Sequence, residues 1–122
     1  MLKINPNISI YVQLAEYLRI EIFSGALKPG DKIRSIREMA VELEVNPNTI
    51  KRVYQELIDD GLIFTNGTLG NYVTEDKTWI QQQKQRYILQ KTKEYTNLLD
   101  TLEVNIEDLI DRSKGDKHGT HH

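Results

Sequence analysis

One segment narrows the options for this chain more than any other, the run from Asn46 to Ile58. Asn46 has the side chain to cap a helix, and Pro47 suits the first helical position, where an N–H would lack a partner anyway. Ile50, Val53, Tyr54, Leu57 and Ile58 then recur at helical spacing as one apolar stripe, which must face a core. The opposite side carries Asn48, Lys51, Arg52 and Gln55. Amides and long cations are the side chains that hydrogen-bond base edges and phosphates in a major groove, so this helix is expected to face DNA.

The flanking residues predict what holds that helix. Tyr11, Leu14, Ala15, Leu18 and Ile22 recur at helical spacing and mark a first helix that should stop near Ser24-Gly25. Pro29-Gly30 turns the chain into a short extended piece at Lys32 to Arg34. Ser35 followed by Glu38 is a capping box, and Ile36, Met39, Ala40 and Leu43 give a short second helix its buried side. Gly61 closes the third helix, and Leu62 to Thr65 and Asn71 to Thr74 read as two strands around the tip Asn66 to Gly70. Helix, tight turn, helix and hairpin make a winged helix-turn-helix, mainly α with a small β-wing, expected over residues 1–76.

Beyond Asp76 the pattern changes. Ile80, Tyr87, Ile88, Tyr95, Leu98, Leu99 and Leu102 mark a narrow apolar face on a long helix rich in glutamine and lysine. A break at Val104-Asn105 precedes a last short helix with Ile106, Leu109 and Ile110. Residues 77–113 are therefore read as a helical extension and 114–122 as a disordered tail. So short a segment cannot bury its own stripe. A homodimer interface is expected at Trp79, Ile80, Tyr87, Ile88, Tyr95, Leu98, Leu99, Leu102 and Leu109, in preference to an aromatic pocket for a small effector.

Composition bounds the rest. A chain of 122 residues with 39% hydrophobic content holds one small core plus an appendage. Without cysteine, disulfides and thiol chemistry are excluded, and no signal peptide or membrane helix is legible near the N-terminus, so a cytoplasmic location is expected. The formal charge of -2, from 16 basic and 18 acidic residues, runs against a nucleic-acid binder. Local sign matters more, and Lys32, Arg34, Arg37, Lys51 and Arg52 cluster around the two short helices. No catalytic set can be assembled and no cofactor is implied, because His118, His121 and His122 all sit in the tail without metal-ligand spacing.

The motifs together resemble a known family. Tyr11-Val12-Gln13-Leu14, Ser24-Gly25, Lys28-Pro29-Gly30-Asp31 and Ser35-Ile36-Arg37-Glu38-Met39-Ala40, followed by Asn46 to Leu57 and Gly61-Leu62-Ile63, look like the N-terminal domain of GntR-type bacterial repressors. The segment after residue 76 is too short for that family's usual effector-binding or aminotransferase-like domain and resembles the YtrA-like branch. That resemblance implies a dimerising extension and, often, repression of nearby transport operons. It also implies DNA contacts. Arg37 resembles the arginine that reaches DNA from the second helix, Ser35 and Thr49 resemble phosphate-binding hydroxyls, and Asn46, Asn48, Lys51 and Arg52 fall on or beside the reading face. Asn66, Gly67, Thr68 and Gly70 would approach the minor groove.

Three positions depart from the family pattern. Arg34 stands where proline is usual and adds a cation beside the expected phosphate path. Glu44 replaces the usual glycine between the two helices, where a positive φ would cost roughly 1 kcal/mol. The wing holds one residue more than the family's Gly-x-Gly. Other readings stand beside the DNA roles: Ser35 and Glu38 form a cap in any case, Arg52 could pair with Glu56 one turn on, and Asn66-Gly67 could serve only the hairpin turn. The whole domain could also dock on protein, although the third helix lacks the outward aromatic or aliphatic anchor such a role favours.

Overall fold

Local signals set the element ends. The computed structural model describes residues 2–119. Helix α1, Ile10–Ser24, starts where the Ser9 hydroxyl accepts the Val12 N–H and ends at Gly25, left-handed at φ 83°. Helix α2, Ile36–Leu43, opens on the complete capping box of Ser35 and Glu38. Helix α3, Pro47–Asp59, has Asn46 as its cap and proline in its first turn. Strands β1, Ile63–Thr65, and β2, Asn71–Val73, pair antiparallel with Ile63 opposite Val73. Helix α4, Lys77–Thr101, begins with the Trp79 N–H bonded to Asp76 Oδ1, and α5 spans Ile106–Gly119.

Residues 1–84 form one compact unit and residues 85–122 a second. In the first, Leu14, Leu18 and Ile22 of α1 meet Ile50, Val53, Tyr54 and Leu57 of α3, with Met39 and Ala40 of α2 and Leu62, Ile63 and Val73 of the wing. Each large aliphatic side chain buried this way contributes about 1.5–3 kcal/mol. The stripe read on the third helix is that core, except that Ile58 is only half-buried.

Two features hold the helix pair in register. Tyr54, 1% exposed, donates its hydroxyl to the Arg34 carbonyl at 2.7 Å, which fixes α3 against the residue just before the α2 cap. Burial pushes that hydroxyl's pKa well up, so it stays a donor. Glu44 takes the left-handed conformation at φ 55°, ψ 46°, so the tight turn keeps its geometry and the glutamate carries the strain.

The wing gains a third edge that the sequence showed only as an extended piece. Lys32 bridges Tyr72, with Ile33 N–H bonded to Asn71 O at 3.0 Å and Val73 N–H to Asp31 O at 2.8 Å. Gly70 is required beside it, since a Cβ there would sit 3.1 Å from Lys32 Cε in a backbone at φ 121°.

In the second unit, α4 ends at a left-handed Glu103, and Asn105 caps α5 by accepting the Glu107 and Asp108 N–H groups. α5 continues through residues 114–119, which the sequence reading placed in a disordered tail. Extending a formed helix adds a hydrogen bond per residue, and a glycine such as Gly115 costs only about 1 kcal/mol, so it does not stop the helix. Residues 120–122, with His121 and His122, lie outside the described residues. Among the described residues, no helix is long and apolar enough to cross a membrane and no cluster could hold a metal ion.

Candidate nucleic-acid interface

The helix-turn-helix exposes one set of polar side chains with nothing in the chain to satisfy them. Arg37 on α2 and Asn48 and Lys51 on α3 are exposed. Among the described residues, Arg37 and Lys51 make no salt bridge and no side-chain hydrogen bond. Cations left this way cost nothing in water and are ready for phosphate or base. Gln55, also outward, gives its amide to Asp59 Oδ1 at 2.9 Å.

Other expected contacts are partly committed inside the protein. Asn46 Oδ1 accepts the Asn48 N–H at 2.8 Å, and Ser35 Oγ accepts the Glu38 N–H at 3.0 Å while Glu38 Oε1 accepts the Ser35 N–H. Those Ser35 hydrogen bonds hold the Glu38 carboxyl below its ordinary value. Thr49 is half-buried. Arg34 forms a salt bridge with Glu42, but the two side chains remain 47% and 38% exposed. A pair that wet contributes little, and a phosphate can displace the glutamate.

Arg52 does not form the helical ion pair with Glu56. Its Cζ lies 4.5 Å from the centroid of the Tyr11 ring. Glu56 is taken from the other side, by the Tyr11 hydroxyl and by Arg19 at 2.6 Å, and Arg19 also reaches Asp60 at 2.8 Å. Burial pushes the Glu56 carboxyl up, and the bonds from Tyr11 and Arg19, with the charges of Arg19 and Arg52, more than reverse it. The sequence reading placed Tyr11 only on the inner stripe of the first helix and assigned Arg19 no role. Their partner lies 45 and 37 residues away, and no local pattern announces such a contact.

At the wing tip, main-chain bonds make the turn: Asn66 N–H to Gly70 O and Leu69 N–H to Asn66 O, both 2.9 Å. Gly67 and Gly70 supply the positive φ values of 50° and 121°. The Asn66 and Thr68 side chains are left exposed.

The expected dimer residues separate into two groups. Trp79 and Ile80, read as interface, are spent inside the first unit: Ile80 is 6% exposed in its core, and Trp79 Nε1 donates to Asp60 O at 2.9 Å. The helical spacing that put them on one stripe holds, but the first turn of α4 lies against the end of α3, where the indole closes over Gly61. Ile88, Tyr95, Leu98 and Leu102 are about half-exposed. Leu99 is buried, Leu109 is half-buried, and the half-buried Tyr87 has Lys91 Nζ 5.6 Å from its ring centroid.

Comparison with known proteins agrees with this geometry. The model of the bacterial regulatory proteins of the gntR family matches residues 10–73. The HTH-type transcriptional repressor YtrA of Bacillus subtilis is 36% identical over 97 residues, which cover 77% of this chain and 75% of that protein. A GntR family transcriptional regulator from Listeria monocytogenes superposes with a TM-score of 0.81 at 38% identity, over 92% of this chain and 98% of the other. The DNA-binding domain of AraR, solved in complex with its operator ORX1, superposes with a TM-score of 0.54 at 25% identity, over 60% of this chain and 93% of that one. By its winged helix-turn-helix and by these similarities, the chain belongs to the GntR family of bacterial regulatory proteins.

Proposed function

We propose that this transcriptional regulator is a homodimeric repressor that binds a palindromic operator through two copies of α3, one in each of two successive major grooves. The observation that carries the reading is the exposed set Arg37, Asn48 and Lys51 on a helix pair whose opposite faces are core. Half-sites then lie about 34–36 Å apart along the duplex, and repression follows from occlusion. A net charge of -2 disfavours nonspecific DNA, so affinity rests on base contacts and on two half-sites acting together. The similarity to YtrA supports a repressor and, by resemblance, a transport operon as target.

The dimer is assigned to the extension, residues 77–113, and within it to the stripe Ile88, Tyr95, Leu98 and Leu102. These residues follow one another at sevens, threes and fours along α4 and remain exposed in the single chain. A small effector that changed the packing of this stripe would act on DNA affinity with a coupling of roughly 1–3 kcal/mol. The regulator works in the cytoplasm, as duplex binding requires.

Selection of bound duplexes from a random-sequence pool, followed by anisotropy titration of the enriched site, tests the reading. The expected result is a palindrome bound by two protomers and weakened by Arg37→Ala and Lys51→Ala. Failure of any duplex to enrich would discard it in favour of docking on protein. The interface is checked separately by Leu98→Asp with Leu102→Asp, which should leave a folded monomer. A persisting dimer would place the interface elsewhere.

A further inference from the structure

Arg52 is arranged in a way that its own helix does not explain. On an isolated helix, Arg52 and Glu56 lie one turn apart and would attract each other. Here the two Glu56 oxygens are engaged by the Tyr11 hydroxyl and by Arg19 Nη2 at 2.6 Å, both reaching across from α1. Arg19 is held in place by its second bond, to Asp60 at 2.8 Å. Arg52 stays exposed, with its guanidinium 4.5 Å from the Tyr11 ring centroid and no salt bridge among the described residues.

Stacking on a ring uses the face of a guanidinium and leaves the in-plane N–H donors at its edge free. Those edge donors are what a phosphate takes up in a bidentate pair. Arg52 sits one turn after Asn48 and beside Lys51, on the flank of α3 that turns toward α1. Such a position suits the sugar-phosphate backbone better than a base edge.

We infer that Tyr11 is a positioning residue for DNA contact: its hydroxyl, with Arg19, keeps Glu56 from capturing Arg52, and its ring presents the Arg52 guanidinium to a backbone phosphate. The inference rests on the DNA-binding reading above. It assigns α1, which is otherwise a core helix, a part in the interface. It also explains why a glutamate is tolerated one turn from a phosphate-binding arginine.

The test uses the full chain and the duplex enriched from the random pool, with affinity measured across a salt series. Tyr11→Leu removes ring and hydroxyl together. It should weaken binding about tenfold, the loss expected for one charge-assisted contact, and flatten the dependence of log K on log salt by about 0.9, the value for one phosphate. Adding Glu56→Gln to that variant removes the competing carboxylate and should return the slope and most of the affinity. A purely structural Tyr11 predicts the opposite, because Glu56→Gln also weakens the bond to Arg19. A double variant no better than the single, or weaker binding at an unchanged slope, overturns the inference.

Should Tyr11→Leu not fold, Arg52→Ala on the exposed surface reads the same contact. A flatter slope supports the inference and an unchanged one overturns it. Weakening by Arg37→Ala and Lys51→Ala but not by Arg52→Ala would remove this inference and leave DNA binding standing. A pool in which no duplex enriches removes both.

Discussion

Leu57 and Leu98 are both helical leucines on apolar stripes, one in the unit of residues 1–84 and one in the unit of residues 85–122. Leu57 is 0% exposed, and Leu98 is 52% exposed. The contrast extends to their neighbours. In the first unit α3 is covered by α1, α2 and the wing, so Ile50, Val53 and Tyr54 share the burial of Leu57. In the second, Leu99 is the one fully buried hydrophobic among the described residues, while Ile88, Tyr95 and Leu102 stay open with Leu98. A periodic stripe states that a helix has a face to bury. Whether the chain itself supplies the cover depends on how many elements pack around it.

Matched truncations should therefore behave differently in the two units. Leu57→Ala is expected to cost about 2–5 kcal/mol in chemical denaturation of the winged-helix unit, independent of protein concentration, because it opens a cavity among residues that cannot all close in. Leu98→Ala should leave that transition within about 0.5 kcal/mol and show its effect as a raised dimer dissociation constant in sedimentation. Equal, concentration-independent losses at both sites would erase the contrast.

A smaller effect bears on Trp79, which the stripe assigned to one region and the packing to the other. Gly61→Ala would set a Cβ 2.8 Å from Trp79 Nε1 in a backbone at φ 74°, so it should cost roughly 1–3 kcal/mol in the first unit. If the melting of that unit does not move, the indole is not seated at the end of α3. Within the same unit, Glu44→Gly should raise stability by up to about 1 kcal/mol, since it relieves a left-handed glutamate at some cost in unfolded-chain entropy. A loss of stability would mean that the glutamate side chain makes up for its strain.

The least effect is expected from acid. Glu38 and Glu56 both have folded-state pKa values lowered from 4.5, Glu38 by its Ser35 bonds and Glu56 by Tyr11 and Arg19 against the upward push of burial. Groups depressed in this way contribute stability that is present above their unfolded value and lost as the pH falls through the folded one. The winged-helix unit should therefore weaken as the pH drops below about 4.5, and Glu56→Gln should shallow that decline. An unaltered acid limb in this variant would assign the loss to other carboxylates.

Much of the helix-turn-helix was legible because its signals are local. The Ser35-Glu38 capping box, Asn46-Pro47 before the third helix and Gly25 after the first each act within a few residues, and the element ends fall where they point. The candidate site was legible to the same extent. Arg37, Asn48 and Lys51 emerge on the exposed side because the inward stripe leaves them nowhere else. The wing was partly legible: its two strands and glycine tip were, and the added Lys32 edge was not, since that bridge joins residues 40 positions apart.

By itself, then, the amino-acid sequence determined the order of elements, their caps and the faces they bury, since each depends on neighbours a turn or two away along the chain. Tertiary structure alone decided which partners those faces meet. It gave Glu56 to Tyr11 and Arg19 instead of Arg52, joined Trp79 and Ile80 to the winged-helix unit, and left Leu98 and Leu102 without cover in the single chain. The physical reason is range. A capping bond or an apolar period is read over a few residues, whereas an ion pair, a buried indole or an empty face depends on segments that only folding brings together.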